Sequence, residues 1–118
     1  MSKNAKATQL KKQIKTIQGA LTALGPMRPG SLSQQYNVCG NPTCRCKDPK
    51  RPQKHGPYSQ LSYTWRGKST TRFVRRPRVE AMRAKRVAYK RLRELVTQWV
   101  DAAIALEQLE RNAAARGT

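Results

Sequence analysis

The sequence predicts an α+β fold in which an antiparallel helical hairpin, or coiled coil, over about residues 7–24 and 78–114 carries an inserted module. Two observations lead to this prediction. Apolar residues recur at heptad spacing in both terminal segments, and the stretch between them is rich in Gly, Pro, Asn and Ser and is followed by two short β-like runs. With 118 residues, the chain fits a single domain, residues 1–118.

The first helix is predicted from a seam of apolar side chains. The seam consists of Leu10, Ile14, Ile17, Leu21 and Leu24. Their alternating spacing of four and three residues places them on one face of a helix. Gly25-Pro26 is a strong stop signal, so the helix is expected to end at about residue 24.

The second helix begins after Pro77, which suits a first turn, and runs without Gly or Pro to about Ala115. Its predicted seam is Tyr89, Leu92, Val96, Trp99, Ala103 and Leu106, and the stripe is widened by Leu95, Ala102 and Leu109. An antiparallel hairpin would bring Leu24 near Leu92 and Leu10 near Leu106. Each seam can instead meet its twin in a homodimer. Since the second stripe is wide, we expect both contacts.

The inserted module comprises a loop, residues 30–57, and a β-hairpin, residues 58–75. The strands are predicted at Tyr58–Trp65 and Ser69–Val74, joined by Arg66-Gly67-Lys68. A three-residue connection would set Leu61 opposite Phe73. One face of the hairpin would then be apolar and would cover the loop.

The loop contains all three cysteines and the only histidine of the chain. Cys39, Cys44, Cys46 and His55 are spaced Cys-x4-Cys-x-Cys-x8-His. Structural zinc takes four thiolate or imidazole ligands in a tetrahedron, so this set predicts a structural Zn²⁺ in a zinc knuckle whose tight turn Gly40 would allow. Free cysteines beside a surface histidine, a redox pair or an iron centre are the alternatives.

A catalytic role for the metal is not expected. All four positions would be filled by protein ligands, and Asp48 is the only carboxylate between residues 1 and 79. The sequence therefore predicts that the protein is not an enzyme.

The chain carries 25 Lys and Arg against 6 Asp and Glu, a formal charge of +19. Nucleic acid is the polyanion that most often neutralises such an excess. A ribosome-like RNA contact, an anionic membrane surface, a solvated helix face and plain solubility are the alternatives. The candidate nucleic-acid-binding residues are Arg45, Lys47, Lys50, Arg51, Lys54, Arg66, Lys68, Arg72, Arg75, Arg76, Arg78, Arg83, Arg86, Lys90 and Arg93.

Aromatic residues of the hairpin admit two interpretations. Tyr58, Tyr63 and Trp65 can stack on bases, but packing inside the hairpin is favoured for them. Because no apolar run reaches the roughly 18 residues that a bilayer requires and no signal core follows the basic N-terminus, a cytoplasmic location is expected.

Two short motifs resemble a known family. They are Cys39-Gly40-x-Pro42-x-Cys44-x-Cys46 and His55-Gly56-Pro57-Tyr58. The pattern, over about residues 30–98, resembles a family of short bacterial proteins that contain a domain of unknown function and are often encoded beside transposases and recombinases. The resemblance also includes Leu61-Ser62-Tyr63 and the helical Tyr89-x-x-Leu92-x-Glu94-Leu95. It implies a location in the bacterial cytosol or nucleoid and an accessory role in mobile elements, but no established activity.

Together these observations predict a zinc-stabilised, basic nucleic-acid-binding accessory protein linked to a recombinase or transposase. DNA is favoured over RNA, chiefly because members of the family that the chain resembles are often encoded beside transposases and recombinases. The alternative is a coiled-coil adaptor, or dimeric interaction protein, that does not bind nucleic acid.

Overall fold

A computed structural model describes residues 3–117 of the chain. Its elements are helix α1 (Lys3–Thr22), strands β1 (Ser31–Asn37), β2 (His55–Trp65) and β3 (Lys68–Val74), and helix α2 (Val79–Gly117). Single turns of 3-10 helix lie at Arg45–Lys47 and Arg76–Arg78. The predicted α+β class is confirmed.

The described chain divides into two compact units. The helical unit contains α1 and the part of α2 from Val87 onward, and the sheet unit is Arg28–Arg86. The first turns of α2 therefore belong to the sheet unit. Among residues 3–117, no helix is both long enough and apolar enough to cross a membrane.

In the helical unit, α1 turns its predicted seam inward. Ile17 is buried, and Leu10, Ile14, Leu21 and Leu24 are half-buried, whereas Lys6, Lys11, Lys12 and Lys15 are exposed. The helix ends at Thr22 rather than at residue 24. Gly25 follows with a φ of 71°, a left-handed conformation that commonly terminates helices.

The covered stripe of α2 differs from the predicted one. Tyr89 is half-buried, and from Leu92 onward the buried and half-buried members are Leu92, Leu95, Trp99, Ala102, Leu106 and Leu109, again at spacings of three and four residues. Val96 and Ala103, which the sequence assigned to the seam, are exposed. Leu95 and Ala102 take their place in the core. The antiparallel register of the two helices stays a prediction.

The sheet has the order β1-β2-β3 and is antiparallel throughout. Strand β1 was not predicted, because it lies within the stretch assigned to the loop. Leu32 and Tyr36 are its only apolar residues, so it has almost no β pattern of its own. Pairing with β2, from Ser31 opposite Ser62 to Asn37 opposite His55, supplies the stabilising hydrogen bonds.

The predicted hairpin connection was wrong by one residue. The turn is Arg66-Gly67, with φ angles of 51° and 79°, as in the two-residue turns that match the twist of antiparallel strands. Gln60 therefore lies opposite Phe73, and Leu61 lies opposite Arg72. Since a shift of one residue reverses the faces of a strand, Phe73 and Leu61 lie on opposite faces of the sheet.

The inner face of the sheet, defined here as the face that carries Leu61, contributes to the small core of the sheet unit. Leu61 is 1% exposed and Met82, in the first turns of α2, is 7% exposed. Two further contacts tie these turns to the chain before β1. The Arg28 amide donates to the Lys85 carbonyl at 3.1 Å, and the Arg86 side chain donates to the Gly30 carbonyl.

Gly30→Ala is expected to destabilise the sheet unit by about 1–3 kcal/mol. Gly30 has a φ of 141°, and a Cβ there would lie 2.5 Å from Cδ1 of the buried Leu61. The measurement is the free energy of unfolding in urea. Gly19→Ala is the matched control, because a Cβ there meets nothing within 4 Å and alanine favours the helix. Equal stability of the Gly30 variant and the wild type would contradict this packing.

Candidate metal centre

The four predicted ligands come together in the sheet unit. The ligand atoms of Cys39, Cys44, Cys46 and His55 all lie within 4.8 Å of one another. Cys39 Sγ is 3.5 Å from Cys46 Sγ, and Cys44 Sγ is 3.2 Å from His55 Nε2. Four soft or borderline donors therefore surround one point.

Local structure explains how the chain brings these side chains together. Cys39 follows β1, and His55 opens β2 opposite Asn37, so the strand pairing fixes both ends of the loop. Between them, the Asn41 carboxamide accepts hydrogen bonds from the Thr43 amide and hydroxyl at 3.0 and 2.8 Å. This turn leads into the single helical turn Arg45–Lys47, which directly follows Cys44 and contains Cys46.

The surroundings of the sulfur atoms differ. Hydrogen bonding with the Asn41 backbone, and then with His55 and the other two cysteines, lowers the pKa of Cys39 to about 6. Burial raises the pKa of Cys46, which is 2% exposed. The Cys39 amide donates to Cys46 Sγ at 3.3 Å, the kind of N–H···S bond that supports a metal-bound thiolate.

The donor set fits a four-coordinate metal ion. With metal–sulfur bonds of about 2.3 Å, neighbouring sulfur atoms of a tetrahedral site lie roughly 3.7 Å apart. The separation of 3.5 Å between Cys39 and Cys46 is close to that value. Asn41 and Asp48 direct their side-chain oxygens to Thr43, Lys50 and Arg51 rather than to the cluster. These four residues can therefore hold a metal ion.

The glycine that the site requires is Gly56 rather than Gly40. A Cβ at Gly40 would meet nothing within 4 Å, so the local packing leaves room there. Gly56, next to His55, has a φ of 130°, and a Cβ there would lie 2.6 Å from the Gln35 carbonyl oxygen. Gly56 lets β2 approach β1 where the histidine enters the site. In the sequence, the feature that could have indicated this role is that Gly56 directly follows the only histidine of the chain.

Thirteen of the fifteen candidate nucleic-acid-binding residues lie in the sheet unit, and Lys90 and Arg93 lie in the helical unit. Of these thirteen, five lie in the loop between β1 and β2, two lie at the hairpin tip, and six lie in the segment from β3 into α2. All fifteen are exposed except Arg86, which is half-buried and bonded to Gly30. Glu80 pairs with Arg83.

The contacts of Arg28 and the exposure of Phe73 were not predicted from the sequence. The Arg28 guanidinium lies 4.6 Å from the centre of the Tyr63 ring, so Tyr63 is engaged within the protein. Phe73, predicted to be covered, is 66% exposed, and Tyr58 is 42% exposed. The expectation that Tyr58 packs inside the hairpin was therefore wrong. Trp65, at the hairpin tip, is 55% exposed as well.

A family model described as a domain of unknown function (DUF6788) matches the chain. It covers residues 7–84, which include α1 from Ala7 onward, the loop that contains the cysteines, the sheet and the first turns of α2. No curated protein and no solved structure matches the chain. The match includes residues of α1 but ends before Tyr89. The helical motif Tyr89-x-x-Leu92-x-Glu94-Leu95 therefore lies outside it. The chain belongs to the DUF6788 family of domains of unknown function.

Proposed function

We propose that this protein is a zinc-stabilised nucleic-acid-binding protein, with DNA as the favoured ligand. One observation carries the proposal. The compact unit that holds the Cys3His cluster also contains fifteen Lys and Arg residues but only two carboxylates.

Zinc is the metal that this donor set favours. Three thiolates and one imidazole form one of the usual closed, tetrahedral zinc sites. Because the protein supplies all four ligands, no coordination position stays open for substrate. The metal then has a structural role, and we propose no enzymatic activity.

The charge balance of the sheet unit favours a polyanionic ligand. Asp48 accepts backbone N–H groups of Lys50 and Arg51 at 2.9 and 3.4 Å, and Glu80 pairs with Arg83. Both carboxylates of the unit thus have local partners, and most of its cations have no acidic counterpart. Phosphate groups would relieve their mutual repulsion and would release condensed counterions.

The preference for DNA and the accessory role beside a recombinase or transposase rest on the family resemblance. Arginine predominates from β3 into α2, and its planar guanidinium suits bidentate contacts with phosphate or guanine. A pull-down assay that offers the purified protein a recombinase or transposase as candidate partner would test the partner separately from the ligand.

The function is tested by titrating labelled DNA and RNA with purified, metal-loaded protein in a mobility-shift assay. Saturable binding, tighter for DNA, is expected. Failure to bind either polymer at low salt would contradict the proposal.

A second candidate function, self-association through α2, is favoured by an exposed apolar stripe. The stripe consists of Val96, Val100 and Ile104, which are 45%, 51% and 63% exposed, together with Ala103. These residues line a shallow pocket on α2 beside Trp99 and Glu107. The stripe is separate from the covered stripe of α2, so the helical hairpin and the dimer are compatible proposals.

The charges that flank this stripe favour an antiparallel second copy. If Val100 lies on the twofold axis, Val96 faces Ile104 of the other copy and Arg93 faces its Glu107. Both charged residues are exposed. A parallel pairing would instead set like charges against each other, which is unfavourable.

Val100→Lys is expected to convert the dimer to a monomer, since it places two like charges together on the twofold axis at a cost of several kcal/mol. Light scattering after size exclusion, over a range of concentrations, measures the mass. Val87→Lys is the matched control, because Val87 is 65% exposed and lies off the stripe. A monomeric wild type at the highest attainable concentration would contradict the dimer.

A further inference from the structure

We propose that the outer face of the sheet binds single-stranded nucleic acid, with bases stacking on Phe73 and Tyr58. The outer face is the one opposite Leu61. This inference rests on the proposed function and names the class of nucleic acid that this site takes.

The strand register defines the residues of the outer face. They are Ser31, Ser33 and Gln35 of β1, Tyr58, Gln60, Ser62 and Thr64 of β2, and Ser69, Thr71 and Phe73 of β3. None of these residues is charged, and all but Phe73 carry a hydroxyl or carboxamide group. Such groups can donate to and accept from base edges.

Several of these polar groups already bond to one another. The hydroxyls of Ser62 and Thr71 are 3.2 Å apart, and those of Thr64 and Ser69 are 2.8 Å apart. These cross-strand pairs hold the side chains on a common surface. The face is therefore a preformed polar platform rather than a set of mobile side chains.

The two aromatic side chains stand together at one end of the platform. Their ring centroids are 6.3 Å apart, with an angle of 74° between the ring planes. An edge-on pair leaves ring surface uncovered, in agreement with exposures of 66% for Phe73 and 42% for Tyr58. Exposed aromatic rings on a polar surface are well suited to stacking with nucleobases.

Cations adjoin the aromatic pair. Arg75 and Arg76 line a pocket of about 330 Å³ together with Pro57, Tyr58 and Phe73. Both arginines are exposed, and the Arg75 carbonyl accepts a hydrogen bond from the Arg78 amide at 2.8 Å in the turn that follows β3. A base on Phe73 would thus bring its phosphate within reach of arginine side chains.

The combination favours a single strand over a duplex. In a duplex both faces of each base are covered by its stacked neighbours, so aromatic side chains cannot reach them without unstacking. A single strand presents the faces and the hydrogen-bonding edges of its bases. The outer face offers aromatic rings for the base faces and polar groups for the base edges. The arginines can contact the phosphates of the nucleic-acid backbone.

Phe73→Leu tests stacking, because leucine keeps the apolar character but removes the ring. Fluorescence anisotropy would compare a single-stranded DNA oligonucleotide, the same sequence in RNA, and the DNA duplex. We expect the wild type to prefer the single strands. Phe73→Leu should weaken single-strand binding about tenfold or more, and Phe73→Tyr should restore it.

Trp65→Leu is the matched control, since Trp65 is 55% exposed at the hairpin tip but has the register of the inner face. It should leave affinity unchanged. Equal affinity for duplex and single strand, no effect of Phe73→Leu, or an equal loss in Trp65→Leu would overturn the stacking proposal.

The salt dependence separates this proposal from the function on which it rests. Phe73→Leu should preserve the salt dependence, because no phosphate contact is lost, whereas Arg75→Ala should reduce it. If Arg75→Ala weakens binding but Phe73→Leu does not, nucleic-acid binding stands and stacking fails. A wild-type protein that binds neither single-stranded nor duplex nucleic acid would overturn both proposals.

Discussion

If the Cys39, Cys44, Cys46 and His55 cluster holds zinc as proposed, removal of the metal is expected to unfold the sheet unit, Arg28–Arg86. This unit has a very small core. Three of its residues are less than a tenth exposed, namely Cys46, Leu61 and Met82. Structural zinc contributes about 10–16 kcal/mol of apparent binding free energy in small zinc domains, which is comparable to or larger than the total stability of most domains. We therefore expect chelation, or Cys44→Ser, to abolish the strand pairing.

The amide resonances of β1, β2 and β3 report this unfolding, and elemental analysis of the same sample reports the metal. One zinc ion per folded chain is expected. Lys50→Ala is the matched control in the same loop, because Lys50 is exposed and its contact with Asp48 uses its backbone amide. A metal-free sample with intact strand resonances would show that the cluster does not support the fold.

The affinity for duplex DNA is expected to fall by about three to five orders of magnitude between 50 and 200 mM salt. The reason is that six to ten phosphate contacts, a number that the exposed cations of the sheet unit can supply, release their counterions on binding. Anisotropy titrations at several salt concentrations measure the slope of log K against log salt, which should lie at roughly −5 to −9 for duplex DNA and at roughly −4 to −7 for single strands.

Two variants locate the phosphate contacts. Arg75→Ala should weaken binding to all sequences and reduce the magnitude of the slope by about 1. Arg111→Ala should leave it unchanged, since Arg111 lies in the acidic part of α2, 4.0 Å from Glu107. A binding constant independent of salt would exclude the phosphate backbone as the main ligand and would favour the interaction-protein alternative.

The ligand set could be predicted because its signal is local. Cys39, Cys44, Cys46 and His55 lie within seventeen residues and include every cysteine and histidine of the chain, so few other groupings were available. The α1 seam was predictable for a similar reason. A regular helix converts spacing along the chain directly into one face, and Ile17, at the middle of that seam, is buried.

The wide stripe of α2 was only partly predictable. Both Leu95 and Val96 satisfy the spacing of a seam, and they lie next to each other on the helix. Which one enters the core depends on how the helix is rotated against its neighbours, and a single sequence does not contain that information. In the structure Leu95 is 2% exposed and Val96 is 45% exposed.

The α+β class, the two helices, the grouping of Cys39, Cys44, Cys46 and His55 and the basic character of the protein could be predicted, since each follows from local spacing or composition. The third strand and the faces of the sheet could not, because they depend on pairing between segments that are distant along the chain. Strand β1 exists because β2 offers it hydrogen-bonding partners. The two-residue turn at Arg66-Gly67 then sets the register, and with it the exposure of Phe73, because side chains of a strand alternate between faces.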